Sequence, residues 1–299
     1  MIIVFGSIAI DMVTPVPSLP SPGQHIHTDF YKRVPGGRGA TQAIAAARIG
    51  SKVAMVGRIG EDGFGTQMFN RLKHESILCS GVPRSQNNPT GVNIVLQTPE
   101  HDKTIISVSG ANKEVYEDQV PDEILTSTNA MLFQMEVPHE EVWTLIRRCK
   151  ERGTKTMLNL APAGPIPEDI LHALDYICLN QAELKYLCQY LKGKEIEEIA
   201  AQYELHVVVT LSERGAVLIR PNGKTFKASA IKIDNIADTL GCGDVFCGAF
   251  FAALYNGKSH QKALEIGCIA ASLNCRTAGT QEGIPFYDEV RKYLKEGEE

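Results

Sequence analysis

Ala237-Asp238-Thr239-Leu240-Gly241-Cys242-Gly243-Asp244 runs without a break into Val245-Phe246-Cys247-Gly248-Ala249-Phe250-Phe251-Ala252-Ala253-Leu254. Two glycines separated by one residue let a backbone turn tightly and approach a neighbour closely. The small apolar run behind them predicts a buried helix with Asp244 in its first turn. The N–H groups of Gly241, Cys242 and Gly243 then lie at a helix N-terminus, where no intrahelical carbonyl can take them. Such a terminus is a site for an anion, a phosphate among them. Spacing alone leaves two readings of Asp244. It is an acidic residue favoured by the helix dipole, worth about 0.3–1 kcal/mol, or a carboxylate that takes the proton of an attacking hydroxyl beside that phosphate.

Upstream of this turn, apolar β-branched runs alternate with helical patterns, which predicts a largely parallel sheet with helices on its faces. Strands are expected at Ile2–Phe5, Lys52–Val56, Met131–Phe133, Thr156–Leu160, Tyr176–Leu179, Val207–Leu211 and Val217–Ile219. Helices are expected at Ala40–Ile49, Thr66–Glu75, His139–Glu151, Ala182–Tyr190 and Ile196–Tyr203, then Asp244–Tyr255, His260–Leu273 and Phe286–Leu294. Two stretches break the rhythm. Gln24–Val34 and Thr90–Ser109 read as hairpin strands with no helix between them, the second turning at Pro99–Asp102. Together they predict a flap over one end of the sheet. With no repeat, linker or low-complexity tract, residues 1–299 read as one domain with flap segments near 11–35 and 90–110.

Composition narrows the classes. The chain has 299 residues, 43% hydrophobic and 22% charged, with a net charge of -5. That balance gives no electrostatic reason to expect nucleic acid or an anionic membrane as a partner. No apolar run reaches the ~18 residues of a membrane helix, and Met1–Gly6 lacks the basic flank of a targeting signal. A cytoplasmic protein is the expectation. The eight cysteines show no C-x-x-C pair or metal spacing and read as reduced thiols, mostly small core residues. Neither a Walker loop nor the protein-kinase motifs are present, and no G-x-G-x-x-G follows the first strand.

Several ordered motifs nevertheless fit one family. Gly36-Gly37-Arg38-Gly39-Ala40-Thr41-Gln42-Ala43 and the Asp238–Asp244 turn stand in the order of its two signatures. Between them lie Gly57–Gly65, Asn180-Gln181-Ala182-Glu183 and Thr210–Ala216, and before them Gly6-Ser7-Ile8 with Asp11. In these motifs, over nearly its whole length, the chain resembles the ribokinase-like (PfkB) family of sugar and nucleoside kinases. The resemblance implies a three-layer α/β/α sandwich with a mostly parallel sheet and a small β lid. It implies an ATP-dependent kinase acting on a hydroxyl of a small sugar, ribose or a relative first. A nucleoside kinase of the adenosine type is the runner-up, and a non-catalytic sugar- or nucleotide-binding protein the reading from another class.

The same resemblance assigns roles. Asp244 becomes the catalytic base, with the amides of Gly241, Cys242 and Gly243 holding the transferring phosphoryl group. Asp11, Gly36, Gly37, Arg38, Thr41 and Glu136 face the sugar, Glu136 being read as the end of a strand. Asn180, Thr210, Ser212 and Gly215 face the nucleotide, and Glu183 the magnesium through water. Asn180 and Glu183 equally read as a capping pair. Asp238, with Asn274–Gly283, is implied around a monovalent cation, hence potassium activation. A homodimer through the lid is a further implication. Three residues depart from the family pattern: Ser212 for a glycine, Thr41 for asparagine and Arg38 for lysine, the last two bearing on which substrate fits. Cys242, for the common alanine, sits where a helix terminus lowers a thiol pKa.

Overall fold

The computed structural model describes residues 1–99 and 103–294. Nine strands form a central sheet, in the order Thr225–Ala228, Ala216–Ile219, His206–Thr210, Tyr176–Asn180, Lys155–Asn159, Ala130–Phe133, Ile2–Phe5, Val53–Val56 and Leu78–Gly81. Every pairing from His206–Thr210 to Leu78–Gly81 is parallel, and only the two strands at the other edge pair antiparallel. Successive side chains of a strand point to opposite faces, so each buried strand feeds two cores. Ile2, Val4 and Leu132 join one core; Ile3, Phe5, Met131 and Phe133 join the other. Helices Arg38–Arg48, Gly63–His74, Cys242–Tyr255 and His260–Asn274 cover the first face. Helices His139–Arg152, Glu168–Ala173, Gln181–Tyr190 and Ile196–Gln202 cover the second. The result is the expected α/β/α sandwich.

Local chemistry sets the helix ends. Asp62 caps Gly63–His74 by accepting the Gly65 N–H at 2.7 Å. His139–Arg152 carries Glu140 and Glu141 in its first turn and stops at Gly153, left-handed at φ 70°. Both arrangements suit the helix dipole and the αL cap.

The sheet order reverses at Ile2–Phe5, which lies between Val53–Val56 and Ala130–Phe133. Ligands of open α/β sheets bind outside the carboxyl ends of the strands at such a switch point. That edge receives Gly6-Ser7 after Phe5, Gln134–Glu136 after Phe133, and Asn159, Asn180 and Thr210 at the ends of their own strands.

A second, four-stranded sheet has the order Lys32–Gly36, Ala9–Pro15, Gly91–Gln97, Lys103–Val108. Its central pair is parallel and its outer pairs antiparallel. The expected hairpin from Thr90 to Ser109 is present, although residues 100–102 of its turn lie outside the described residues. Gln24–Val34 is corrected: only Lys32–Gly36 is strand, and it pairs with Ala9–Pro15. That partner reads poorly as a strand because Asp11 stands in its middle; the carboxylate is accommodated by partners described below.

Candidate active site

Arg38 opens its helix directly after Gly37, whose φ of 84° turns the strand Lys32–Gly36 into it. A Cβ on Gly37 would stand 2.7 Å from the Ala9 nitrogen, so only glycine fits. The Arg38 side chain lies between two carboxylates. Its Nε donates to Glu136 Oε1 at 3.1 Å, and its NH1 stands 3.5 Å from Asp244 Oδ2. Glu136 Oε2 accepts from the Arg38 N–H at 3.3 Å and from the Ser7 hydroxyl at 2.5 Å. Glu136 sits three residues past the strand end at Phe133, in the loop that follows, rather than ending the strand. Burial opposes the Arg38 charge, but Asp244 and Glu136 outweigh it and hold the guanidinium above its ordinary pKa.

Asp244 is buried in the first turn of Cys242–Tyr255. Gln42 Nε2 donates to its Oδ1 at 2.8 Å and to Asn159 Oδ1 at 3.1 Å, while Gln42 Oε1 accepts from Gln134 at 2.8 Å. One buried amide thus holds the carboxylate, and two more hold that amide. The two helices meet closely because Gly248 has no side chain; a Cβ there would stand 2.3 Å from the Gln42 carbonyl oxygen. Burial pushes the Asp244 carboxyl up, with the Arg38 charge and the Gln42 hydrogen bond pulling against it. A carboxylate held this way is a stronger base than one in water.

Asp11 is buried within the small sheet and its oxygens are engaged. Asn93 donates to Oδ1 at 2.8 Å and the Thr280 hydroxyl to Oδ2 at 2.6 Å. Burial raises its pKa against these two bonds. Gly36 faces it so closely that a Cβ would stand 2.1 Å from Asp11 Oδ1. Thr41 is fully buried, its hydroxyl accepting from Gln281 at 3.2 Å. Beside this group a pocket of about 460 Å³ is lined by Ser7, Ala9, Asn93 and Glu136, among others.

A larger pocket, about 740 Å³, lies at the start of the Cys242–Tyr255 helix. It is lined by Asn180, Thr210, Ser212, Gly215, Cys242 and Gly243 among its walls, so the expected nucleotide residues share one cavity. Asn180 and Glu183 form a reciprocal capping box at 2.9 and 2.7 Å. Burial raises the Glu183 carboxyl, opposed by the Asn180 N–H and by Arg38. Thr210 donates to the Leu179 carbonyl at 3.4 Å. Ser212, where the family has glycine, sits at φ 54°, the left-handed region that glycine favours.

Gly241 is left-handed at φ 75° and starts the helix. The Cys242 N–H turns back to the Thr239 carbonyl at 3.4 Å, so it is less free than the sequence implied. Gly243 is exposed, and a Cβ there would meet no protein atom within 4 Å. Cys242 also differs from expectation. Its thiol is pushed up, by the hydrogen bond to Cys275 first and burial second, rather than lowered by the helix terminus.

Asp238 is paired within the chain. Lys103, from the strand Lys103–Val108, pairs with its Oδ1 at 2.5 Å, the Leu240 N–H donates to the same oxygen at 2.9 Å, and the Gly279 N–H to Oδ2 at 3.2 Å. The Asp238 carboxylate thus has an internal counter-charge in the Lys103 ammonium group. Among the described residues, no group of three or more His, Cys, Asp or Glu side chains is placed to hold a metal ion.

Sequence reasoning missed Gln42, Gln134, Asn159, Asn93, Thr280 and Lys103. Only Gln42 left a usable signal: it stands four residues after Arg38 on one helix, hence on the same face.

The pattern of the pfkB family carbohydrate kinase matches residues 1–286. The chain belongs to this family. Its members are phosphotransferases with an alcohol acceptor, and this chain is a sugar kinase of the ribokinase type. Ribokinase from Lactococcus lactis is 33% identical over 297 residues, covering 98% of this chain and 96% of that protein. Ribokinase from Thermotoga maritima superposes with a TM-score of 0.88 at 30% identity, over 98% of both chains. Arabidopsis thaliana ribokinase, solved with ribose and ATP, superposes with a TM-score of 0.87 at 28% identity, over 99% of both. No helix among the described residues is long and apolar enough to cross a membrane.

Proposed function

We propose that this kinase transfers the γ-phosphoryl group of ATP to a hydroxyl of ribose or a closely related free sugar, with Asp244 as the base. One observation carries the reading: Arg38, Glu136, Gln42 and Asp244 converge within hydrogen-bond or ion-pair distance beside the open first turn of a helix. The sugar occupies the smaller pocket under the small sheet, with Asp11 oriented by Asn93 and Thr280 against Gly36 and Gly37. Its attacking hydroxyl gives its proton to Asp244 as the oxygen bonds to the γ-phosphorus. The N–H groups around Gly243 and the Arg38 guanidinium stabilise the charge on the transferring group. Gly243 suits that task because no protein atom stands where its side chain would be. A small sheet closed over the acceptor keeps water from competing.

ATP occupies the larger pocket, along Asn180, Thr210, Ser212 and Gly215. Asn180 and Glu183 would hold a nucleotide-bound magnesium ion through water, and such an ion supplies neutralising charge on the phosphates. One face of the small sheet exposes Ile94, Ile106 and Val108, an apolar face suited to a second copy of the chain. Ribose is preferred over a nucleoside because the relatives above are ribokinases. The test is ADP release with ATP and magnesium across ribose, other free sugars, sugar phosphates and nucleosides. Turnover highest with ribose supports the proposal; preference for a nucleoside overturns it.

A further inference from the structure

Two sulfur atoms meet at the wall of the nucleotide-side pocket. Cys242 is the first residue of the helix Cys242–Tyr255, and Cys275 caps the helix His260–Asn274. Their Sγ atoms stand 2.8 Å apart, against about 2.05 Å in a disulfide. Both residues are half-buried and both line the pocket, so a small solute entering it reaches them. A second close pair offers an internal contrast. Cys178 and Cys247 stand 3.3 Å apart, but each is only 1% exposed, and neither lines either pocket. Proximity is shared by the two pairs; access belongs to one.

We propose that Cys242 and Cys275 are an oxidative modification site, closing to a disulfide under hydroperoxide and thereby disabling the phosphate-binding turn. In the first step one thiol of the pair is oxidised by hydrogen peroxide to a sulfenic acid, releasing one water. In the second, the neighbouring thiol displaces that hydroxyl, forming the S–S bond and releasing a second water. Each sulfur loses one electron and the peroxide gains two. A thiol reductant reverses the bond by exchange.

The consequence follows from where Cys242 stands. It separates Gly241 from Gly243, so the bond draws the turn toward Cys275 and ties it to the neighbouring helix. Misplacing a reacting group by about 1 Å can cost on the order of 10²-fold in rate. A tenfold or greater loss of turnover, restored by dithiothreitol, is the expected effect. The inhibition rests on the proposed nucleotide role of this pocket; the bond itself does not.

The experiment exposes the full chain to hydrogen peroxide, with and without ADP, and reads linked peptides by mass spectrometry under non-reducing conditions. A Cys242–Cys275 link forming before any Cys178–Cys247 link is expected. ADP should slow it, and Cys275→Ser should both abolish the link and keep its own starting turnover under peroxide. Oxidation at other cysteines without this link, or the Cys178–Cys247 link forming first, overturns the proposal. Formation of the link with no slowing by ADP leaves the modification site standing and refutes the nucleotide reading of the pocket.

Discussion

Gln42 provides a sharp test because it touches the proposed base without touching substrate. In Gln42→Leu, Asp244 loses the 2.8 Å hydrogen bond to its Oδ1, and Asn159 and Gln134 lose their shared partner. A hydrogen bond to a charged group is worth roughly 1.5–3 kcal/mol. Removing one that favours the ionised carboxylate raises the Asp244 pKa further. The base must be ionised to act, so the acid limb of the kcat profile moves to higher pH. Gln42→Glu, which sets a second carboxylate against the first, moves it further in the same direction. The unsatisfied amides also lower stability by about 1–3 kcal/mol, measured separately by denaturant unfolding. The assay is steady-state kinetics between pH 5 and about 9 with saturating sugar and ATP, in the usual range for such bases. A folded Gln42→Leu protein with an unmoved acid limb would refute the positioning role, whatever its kcat.

Lys103→Met leaves the buried Asp238 carboxylate without its counter-charge, a change typically costing about 3–5 kcal/mol; thermal stability should drop and recover partly in potassium, while the wild type responds little in a comparison of potassium with a large organic cation. Gly215→Ala puts a Cβ 2.0 Å from the Ala228 oxygen at φ 96°, so unfolding free energy should fall by about 2 kcal/mol or more, and a change under 0.5 kcal/mol would contradict the geometry. Asp244→Asn removes a buried carboxylate whose native pKa is raised. The strain of ionising it is absent at low pH and grows as pH rises through that native pKa. The variant should therefore melt roughly 1–3 °C above wild type at pH 8, with the gain vanishing in acid; a gain that persists or grows in acid would be the wrong sign.

The layered core was legible because Ile2–Phe5 and its neighbours are apolar at every position, as strands buried on both faces must be. Strands with polar interruptions were not. Ala9–Pro15 carries Asp11, which is tolerated only because Asn93 and Thr280 reach it from 82 and 269 residues away. The exposed edge strand Thr225–Ala228 has too little apolar alternation to stand out. At the site, the glycine turn and Asp244 were readable from local chemistry, while the roles of Asp11 and Glu136 came through the family resemblance. The Lys103–Asp238 pair was unreadable, since it joins residues 135 positions apart, one on the small sheet and one in the turn before the helix Cys242–Tyr255.

The most direct test of the account is the kcat of Asp244→Asn with ribose, alongside its KM for ribose and its affinity for ADP. A loss of about 10²-fold or more in kcat, with KM and ADP affinity within a few-fold of wild type, is the predicted result for a general base. A kcat within tenfold of wild type would contradict it and leave phosphoryl transfer to Arg38 and the helix terminus alone.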